Sequence, residues 1–285
     1  MNRLLYILPV LAVVGCEFGD ASTKPATDSR ASTSPTPRVS PAADSADAAD
    51  PPRKSDLKDK ARPPEVEERK EEPPEEAPPI PDSYKVLNKD KKNIFFEKKD
   101  DGTRRVHLLA EVCLREGPLE VFLCKLNTKE HESIVHIDAD AREIHFALVA
   151  AGATAGSPTK FVPKYKAATG TKIKVSVTYR EKGKVKTVPA GEWIKDKTTN
   201  KAMAHDWVFA GSRFFKDPEG KVPDYYMANN GEVISVSNFP DSMMDLPIKS
   251  SKEAAELMFE ADTAKIPPLK TPVLVTLEPV VDKKK

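Results

Sequence analysis

Ile173-Lys174-Val175-Ser176-Val177-Thr178-Tyr179 alternates apolar and polar residues without a break over seven positions. A period of two places Ile173, Val175, Val177 and Tyr179 on one face and Lys174, Ser176 and Thr178 on the other, the pattern of a half-buried strand. Lys182-Gly183 then turns the chain into a second strand at Val185 to Val188. Working outward, Arg105 to Leu114 is apolar-rich and reads as a strand, Gly117-Pro118 as a turn, and Leu119 to Cys124 as the next strand. Asn127 to Ser133 is a polar loop before a short buried strand at Ile134 to Ile137. Downstream, Trp207 to Phe215, Tyr225 to Met227, Val233 to Val236 and Val273 to Leu277 are further strands, with turns at Asp217-Pro218-Glu219-Gly220 and Asn230-Gly231. Two segments read as helices. Asp138-Ala139-Asp140 offers an N-cap, Ala141, Ile144, Ala147, Leu148 and Ala151 share one helical face, and Gly152 is a natural stop. Ser250 with Glu253 three residues on reads as a capping box, with Ala254, Leu257, Met258 and Ala261 on one face and Pro267-Pro268 as the end. Strands in hairpin order with two or three helices predict an α+β domain with a mainly antiparallel sheet, preceded by a disordered tail.

The composition narrows the function. The chain has 285 residues, and Lys+Arg 45 against Asp+Glu 44 gives a formal charge of +1. That balance offers no electrostatic footprint for nucleic acid. No apolar run approaches the roughly 20 residues of a bilayer-spanning helix. Three cysteines are too few for a disulfide-built scaffold or a four-cysteine iron–sulfur centre.

The N-terminus reads as an export signal. Arg3 supplies positive charge, Leu4 to Val14 is an eleven-residue apolar run, and Val13-Val14-Gly15-Cys16 ends it. Small or branched apolar residues followed by Gly-Cys are similar to the lipobox of bacterial lipoproteins, which are cut before a cysteine that then carries acyl chains. Residues 1–15 are therefore expected to be a signal peptide, and Cys16 a lipidation site holding an exported protein on a membrane, in the periplasm or at the cell surface. More than one acyl chain is what makes such an anchor stable. From Glu17 to Asp82 the chain holds 13 of its 26 prolines and one aromatic residue, Phe18, with a net charge of −6. Such a segment buries too little apolar area to offset its ordering entropy, so residues 16–83 are expected to be a disordered, Pro/Ala/Glu/Lys-rich linker. Residues 84–281 then form one domain, with 17 of the 19 aromatic residues, and 282–285 a basic tail.

Several strings in the domain belong together: Glu116-Gly117-Pro118-Leu119-Glu120, Thr128-Lys129-Glu130-His131-Glu132-Ser133, Trp207-Val208-Phe209-Ala210-Gly211-Ser212, Val236-Ser237-Asn238-Phe239-Pro240 and Asp245-Leu246-Pro247-Ile248. In this order they resemble the YdjY-type domain, a family of bacterial exported proteins, over about Val106 to Leu277. The resemblance implies no particular activity. Some members carry a ferredoxin-type label, which is not carried over to a chain with no Cys-x-x-Cys.

Candidate chemistry gathers in one place. Cys124 and Lys129-Glu130-His131-Glu132-Ser133 bring a thiol, an imidazole and two carboxylates within a few residues. His131 is a candidate general base or metal ligand oriented by Glu130 or Glu132, and Cys124 a candidate ligand or nucleophile. The same string is also an ordinary solvated loop. His107, His136 and His145 are further candidate ligands, or buried histidines bonded to the backbone. The string is not His-Glu-x-x-His, and no dinucleotide, P-loop or nucleophile-elbow motif occurs. An exported chain raises a Cys113–Cys124 disulfide, but if Arg115 to Pro118 is a hairpin loop the two lie about 13 Å apart along the ladder, beyond the roughly 7 Å a bridge spans. Trp193, Trp207, Phe209, Phe214, Phe215, Tyr225 and Tyr226 read as core or as an aromatic groove. The expected function is therefore that of a lipid-anchored envelope protein whose domain is a binding or interaction module for a protein or envelope polymer. The alternative is a metal-dependent or redox enzyme using Cys124, His131 and Glu132.

Overall fold

The structure, a computed structural model, describes residues 73–250 and 258–281, all within the compact unit Val66–Lys285. The signal peptide, Cys16, the tail up to residue 72, residues 251–257 of the second expected helix and the basic tail lie outside the described residues.

The α+β expectation is corrected. Strand outweighs helix, 37% against 10%, and eight strands close into a barrel. In chain order these are β1 (Arg104–Val112), β2 (Val121–Lys125), β3 (Ser133–Ile137), β4 (Lys172–Glu181), β5 (Trp207–Phe209), β6 (Ile234–Ser235), β7 (Met244–Asp245) and β8 (Pro272–Pro279). Around the barrel they run β1-β8-β4-β5-β7-β6-β2-β3, and β3 pairs back onto β1. Most pairs are antiparallel, but β6 lies parallel to β7 and β2 parallel to β3. Closure leaves no free edge within the ring.

The long strands carry the core. Leu108 faces Val275, which faces Val177; Val106 faces Leu277, which faces Val175. All but Val175 in these two rows have no exposed surface, and Val175 has 7%. The alternation read in β4 thus continues in register across three strands, where a slip of one residue would turn every apolar side chain outward. Ile94–Lys98 adds to the outside of β1, and Lys184–Pro189 forms the expected hairpin with β4 across Lys182-Gly183.

The helix at Ala141–Ala150 forms as the spacing predicts. Asp140 accepts from Arg142 N at 2.8 Å, and Gly152 follows with φ 97°. Among the described residues it is the one α-helix. The second expected helix gives way to a strand in its described part. Phe259–Ala261 pairs with Ile194–Asp196, burying Phe259 and Ala261 and turning Glu260 half out. A period of two at Phe259-Glu260-Ala261 wins over the helical spacing of Met258 and Ala261. The hairpin expected between β1 and β2 is also corrected. The two strands do not pair with each other; β3 lies between them, because β3 finds an antiparallel partner in Val112 and a parallel one in Leu123.

Candidate functional site

The loop before β3 is tightly built. Glu130 turns back to accept the backbone N–H groups of Asn127 and Thr128, the latter at 2.9 Å, and Asn127 takes a φ of 63°. Glu130–Glu132 then forms one 3-10 turn into β3. The turn points Lys129 inward. Its ammonium lies 2.7 Å from Glu120, 3.1 Å from Glu132 and 3.5 Å from Glu232, and 4.5 Å over the Phe239 ring. Burial raises the carboxyl pKa values of Glu120 and Glu232, partly against the pull of Lys129. Burial alone would lower Lys129, but its hydrogen bonds to Glu120 and Glu132 outweigh that and raise it. Three carboxylates around one cation leave negative charge in excess, and Glu232 Oε2 has no hydrogen-bond partner.

Three of the quoted sequence strings thus meet at one ammonium: Glu120, Lys129 with Glu132, and Phe239. The candidates drawn from the loop divide differently. His131 points outward with 75% of its side chain exposed, 3.7 Å from Glu132. Cys124 is fully buried in β2, on the strand beside His136. His131 and Glu132 are therefore neighbours at the surface, while Cys124 belongs to the layer beneath. His136 sits on β3 with its ring nitrogens 3.7 Å from Glu111 and 3.8 Å from Glu130. His145, on the helix, bonds the Tyr226 hydroxyl at 2.8 Å and packs edge-on against Phe209. Among the described residues no group of three or more His, Cys, Asp or Glu side chains is arranged to hold a metal ion.

His107 leads to a second region. Several outward positions of the long strands are polar where the inward ones are apolar, with Leu109 and Leu274 as exceptions. His107 stands opposite Thr276, and Thr276 opposite Ser176; Leu274 stands opposite Thr178, and Thr178 opposite Thr187. Residues 73–84 run over this wall. Glu75 accepts the backbone N–H groups of Lys182 at 2.6 Å and Gly183 at 3.3 Å, Arg180 Nε donates to Ala77 O at 3.2 Å, and Pro78 is buried. Tyr84 closes the strap by stacking on His107, with centroids 4.2 Å apart and planes within 11°.

Under the strap lies a groove of about 680 Å³, lined by Arg105, Lys174, Ser176 and Thr276 among others. His107 Nδ1 bonds Thr276 Oγ1 at 2.9 Å, and Nε2 faces Glu97 at 3.3 Å without a well-aligned hydrogen bond. Burial pushes the imidazole down to about 4 despite Glu97, so at neutral pH it is an uncharged ring. Arg105 is held between Glu278 and Glu97. A groove of hydroxyls, one neutral imidazole and paired charges suits recognition through hydrogen bonds. The sequence reading placed His107 among candidate ligands but passed over Glu97, Arg105, Tyr84 and the hydroxyl rows. The sequence signal for this wall is the polar half of the alternation, Lys174, Ser176 and Thr178.

The model of one family, described as the YdjY domain, matches residues 98–278. No curated protein and no solved structure matches the chain. The matched span covers the barrel from β1 to β8 nearly end to end and more than half of the sequence, in line with the resemblance carried by the ordered strings, and the chain belongs to the YdjY domain family.

Proposed function

We propose that this protein is a lipid-anchored component of the cell envelope, exported by its N-terminal signal and tethered through Cys16, whose barrel binds an extended, proline-containing peptide segment on the wall formed by β1, β8 and β4. The observation that carries the binding role is the strap. Pro73 to Tyr84 is an acidic, proline-rich segment, and the wall meets it with donors for its carboxylate and its carbonyl, a buried place for Pro78 and a ring for Tyr84. Such recognition exploits an extended conformation that proline has already ordered. The groove under the strap leaves polar wall for side chains that the strap does not supply.

The binding test uses the full chain carrying Glu75→Ala and Tyr84→Ala, with a fluorescent synthetic peptide of residues 73–84 as the probe. A tethered strap competes at an effective concentration of about millimolar. The probe should therefore bind the double variant, with saturable anisotropy, more tightly than the wild type. No binding to either chain would sink the peptide reading. For the anchor, labelled palmitate should enter the wild type and be absent from Cys16→Ser; equal labelling of the two would reject lipidation at Cys16.

A further inference from the structure

The segment that leads from the helix into β4 carries a basic, apolar loop. Glu75 of the strap meets the turn that ends β4, whereas this loop precedes the start of that strand. From 144 to 180 the sequence holds no acidic residue. Within that stretch Lys160-Phe161-Val162-Pro163-Lys164-Tyr165-Lys166 sets three cations among two aromatic residues, a valine and a proline. The backbone closes the loop at its base. Lys160 N donates to Lys166 O at 3.0 Å, and Lys166 N donates to Lys160 O at 2.8 Å. Phe161 and Val162 stand at the tip, 40% and 84% exposed. Lys160, Lys164 and Lys166 are exposed around them, and among the described residues none of the three meets a carboxylate.

The barrel holds this loop in place. Thr159 Oγ1 donates to Asp245 Oδ2 of β7 at 2.9 Å, and the Tyr165 hydroxyl donates to Asn238 Oδ1 at 3.1 Å. The Phe161 and Tyr165 rings lie 6.0 Å apart. An apolar residue exposed alone needs no explanation. A fixed apolar tip within a ring of unpaired lysines fits a surface that is apolar inside and anionic at its rim. An anionic lipid bilayer is such a surface. Lysine stems lie along apolar groups while their ammonium heads reach phosphate, and tyrosine settles at the headgroup level. A charged polymer would use the lysines and leave the tip in water.

We propose that the Lys160–Lys166 loop docks the barrel reversibly onto an anionic lipid bilayer. Phe161 and Val162 enter the boundary between headgroups and acyl chains, and the three lysines meet lipid phosphates. Each lysine near such a surface strengthens docking about fivefold. The contact uses no acyl chain, so it goes beyond the anchor proposed at Cys16 and does not depend on it.

The test uses the full chain carrying Cys16→Ser, which removes acylation, and Val162→Trp, which puts an indole at the exposed tip. Trp193 and Trp207 are buried and shielded from lipid. Phosphatidylglycerol vesicles with brominated acyl chains should quench the new indole and shift its emission to the blue, and brominated phosphatidylcholine vesicles should do neither. Lys160→Gln, Lys164→Gln and Lys166→Gln together should weaken docking about 100-fold, at about fivefold for each lysine, with the melting transition unchanged. Should that variant fail to fold, raising the salt to about 0.5 M, where the Debye length is about 4 Å, replaces it and should release the tip. Absence of quenching by the anionic vesicles would overturn the proposal. Equal quenching by the zwitterionic vesicles would overturn it as well, since the apolar leader alone would then be holding the chain near lipid. Binding to inorganic polyphosphate as tight as to anionic vesicles, with no quenching by lipid, would assign the loop to a charged polymer and reject the bilayer.

Discussion

Replacing Lys129 with methionine removes the one cation from the cage of Glu120, Glu132 and Glu232 and keeps most of the side-chain volume. Truncating one partner of a fully buried ion pair costs about 3–5 kcal/mol. The Lys129 side chain keeps 18% of its exposure, and solvent screening reduces the expected loss to about 2–3 kcal/mol. In a domain of this size that corresponds to a fall in Tm of about 4–12 °C. The loss should depend on pH in a defined direction. Burial already holds the Glu120 and Glu232 pKa values above their unfolded values. A carboxyl raised in this way favours the folded state fully below its unfolded pKa, and that contribution is lost as pH rises through the folded value. Without Lys129 both rise further, so the variant gains more than the wild type from acid. The gap between them should be widest near pH 7 and should shrink as pH falls through the raised carboxyl values. Urea unfolding followed by the buried Trp193 and Trp207 measures it. A gap below about 0.5 kcal/mol at pH 7, the scale of an ordinary surface change, would refute the cage, as would a gap unchanged by acid. Glu232→Gln is the control, since it removes excess charge while Lys129 keeps two carboxylates, and it should be neutral or stabilising.

Asp245 gives a second pH dependence. Burial raises its pKa to about 7 in spite of hydrogen bonds from Asn238 and Thr159. Its contribution is therefore present below its unfolded pKa and lost as pH rises through about 7, and Asp245→Asn should flatten Tm between pH 5 and pH 8.5; an equal slope in both proteins would contradict this. Tyr226→Phe removes the hydroxyl that donates to Gly211 O and meets His145 Nδ1, each at 2.8 Å. Leaving these groups unpaired should cost about 1–3 kcal/mol by urea unfolding, and a change within 0.3 kcal/mol would count against the bond pair. Limited proteolysis should trim the tail and stop before Pro73, because Glu75 and Ala77 are tied to the wall; a first stable fragment beginning after Tyr84 would show that the strap does not hold.

The sequence made the long strands legible because their period of two is continuous. Arg104–Val112, Lys172–Glu181 and Pro272–Pro279 all lie where alternation or an apolar run placed them. What it concealed was pairing. β1 and β2 are separated by a short turn, and hairpin order is the default for such neighbours, yet Val135 pairs with Val112 on one side and Leu123 on the other. That insertion depends on contacts across more than ten residues, which no local pattern records. The same blindness produced the disulfide argument, since a register counted along a hairpin says nothing about two strands flanking a third. The helix expected after Ser250 gives way at its described end for a related reason. Phe259 is held as a strand by Asp196, a partner more than sixty residues away. For the site, the loop of Lys129–Ser133 was legible as a polar cluster, but the inward turn of Lys129 depends on Glu120 and Glu232 from elsewhere in the chain.

The proposed binding wall and the core are built on the same strand set. In β1, β8 and β4 the inward residues Leu108, Val275 and Val177 are fully buried, and a change in any of them is a packing change first. The outward residues one position away, His107, Thr276 and Ser176, are set in the same register by the same ladder, so their spacing is as fixed as that of the core. A loop offers no such constraint on distance. The strap is attached at these outward rows: Tyr84 stacks on His107, and Glu75 meets the turn that ends β4. Under the proposed function, substitution of the half-buried Ser176 should alter what the wall holds while leaving the barrel closed, whereas substitutions on the inward rows should open it.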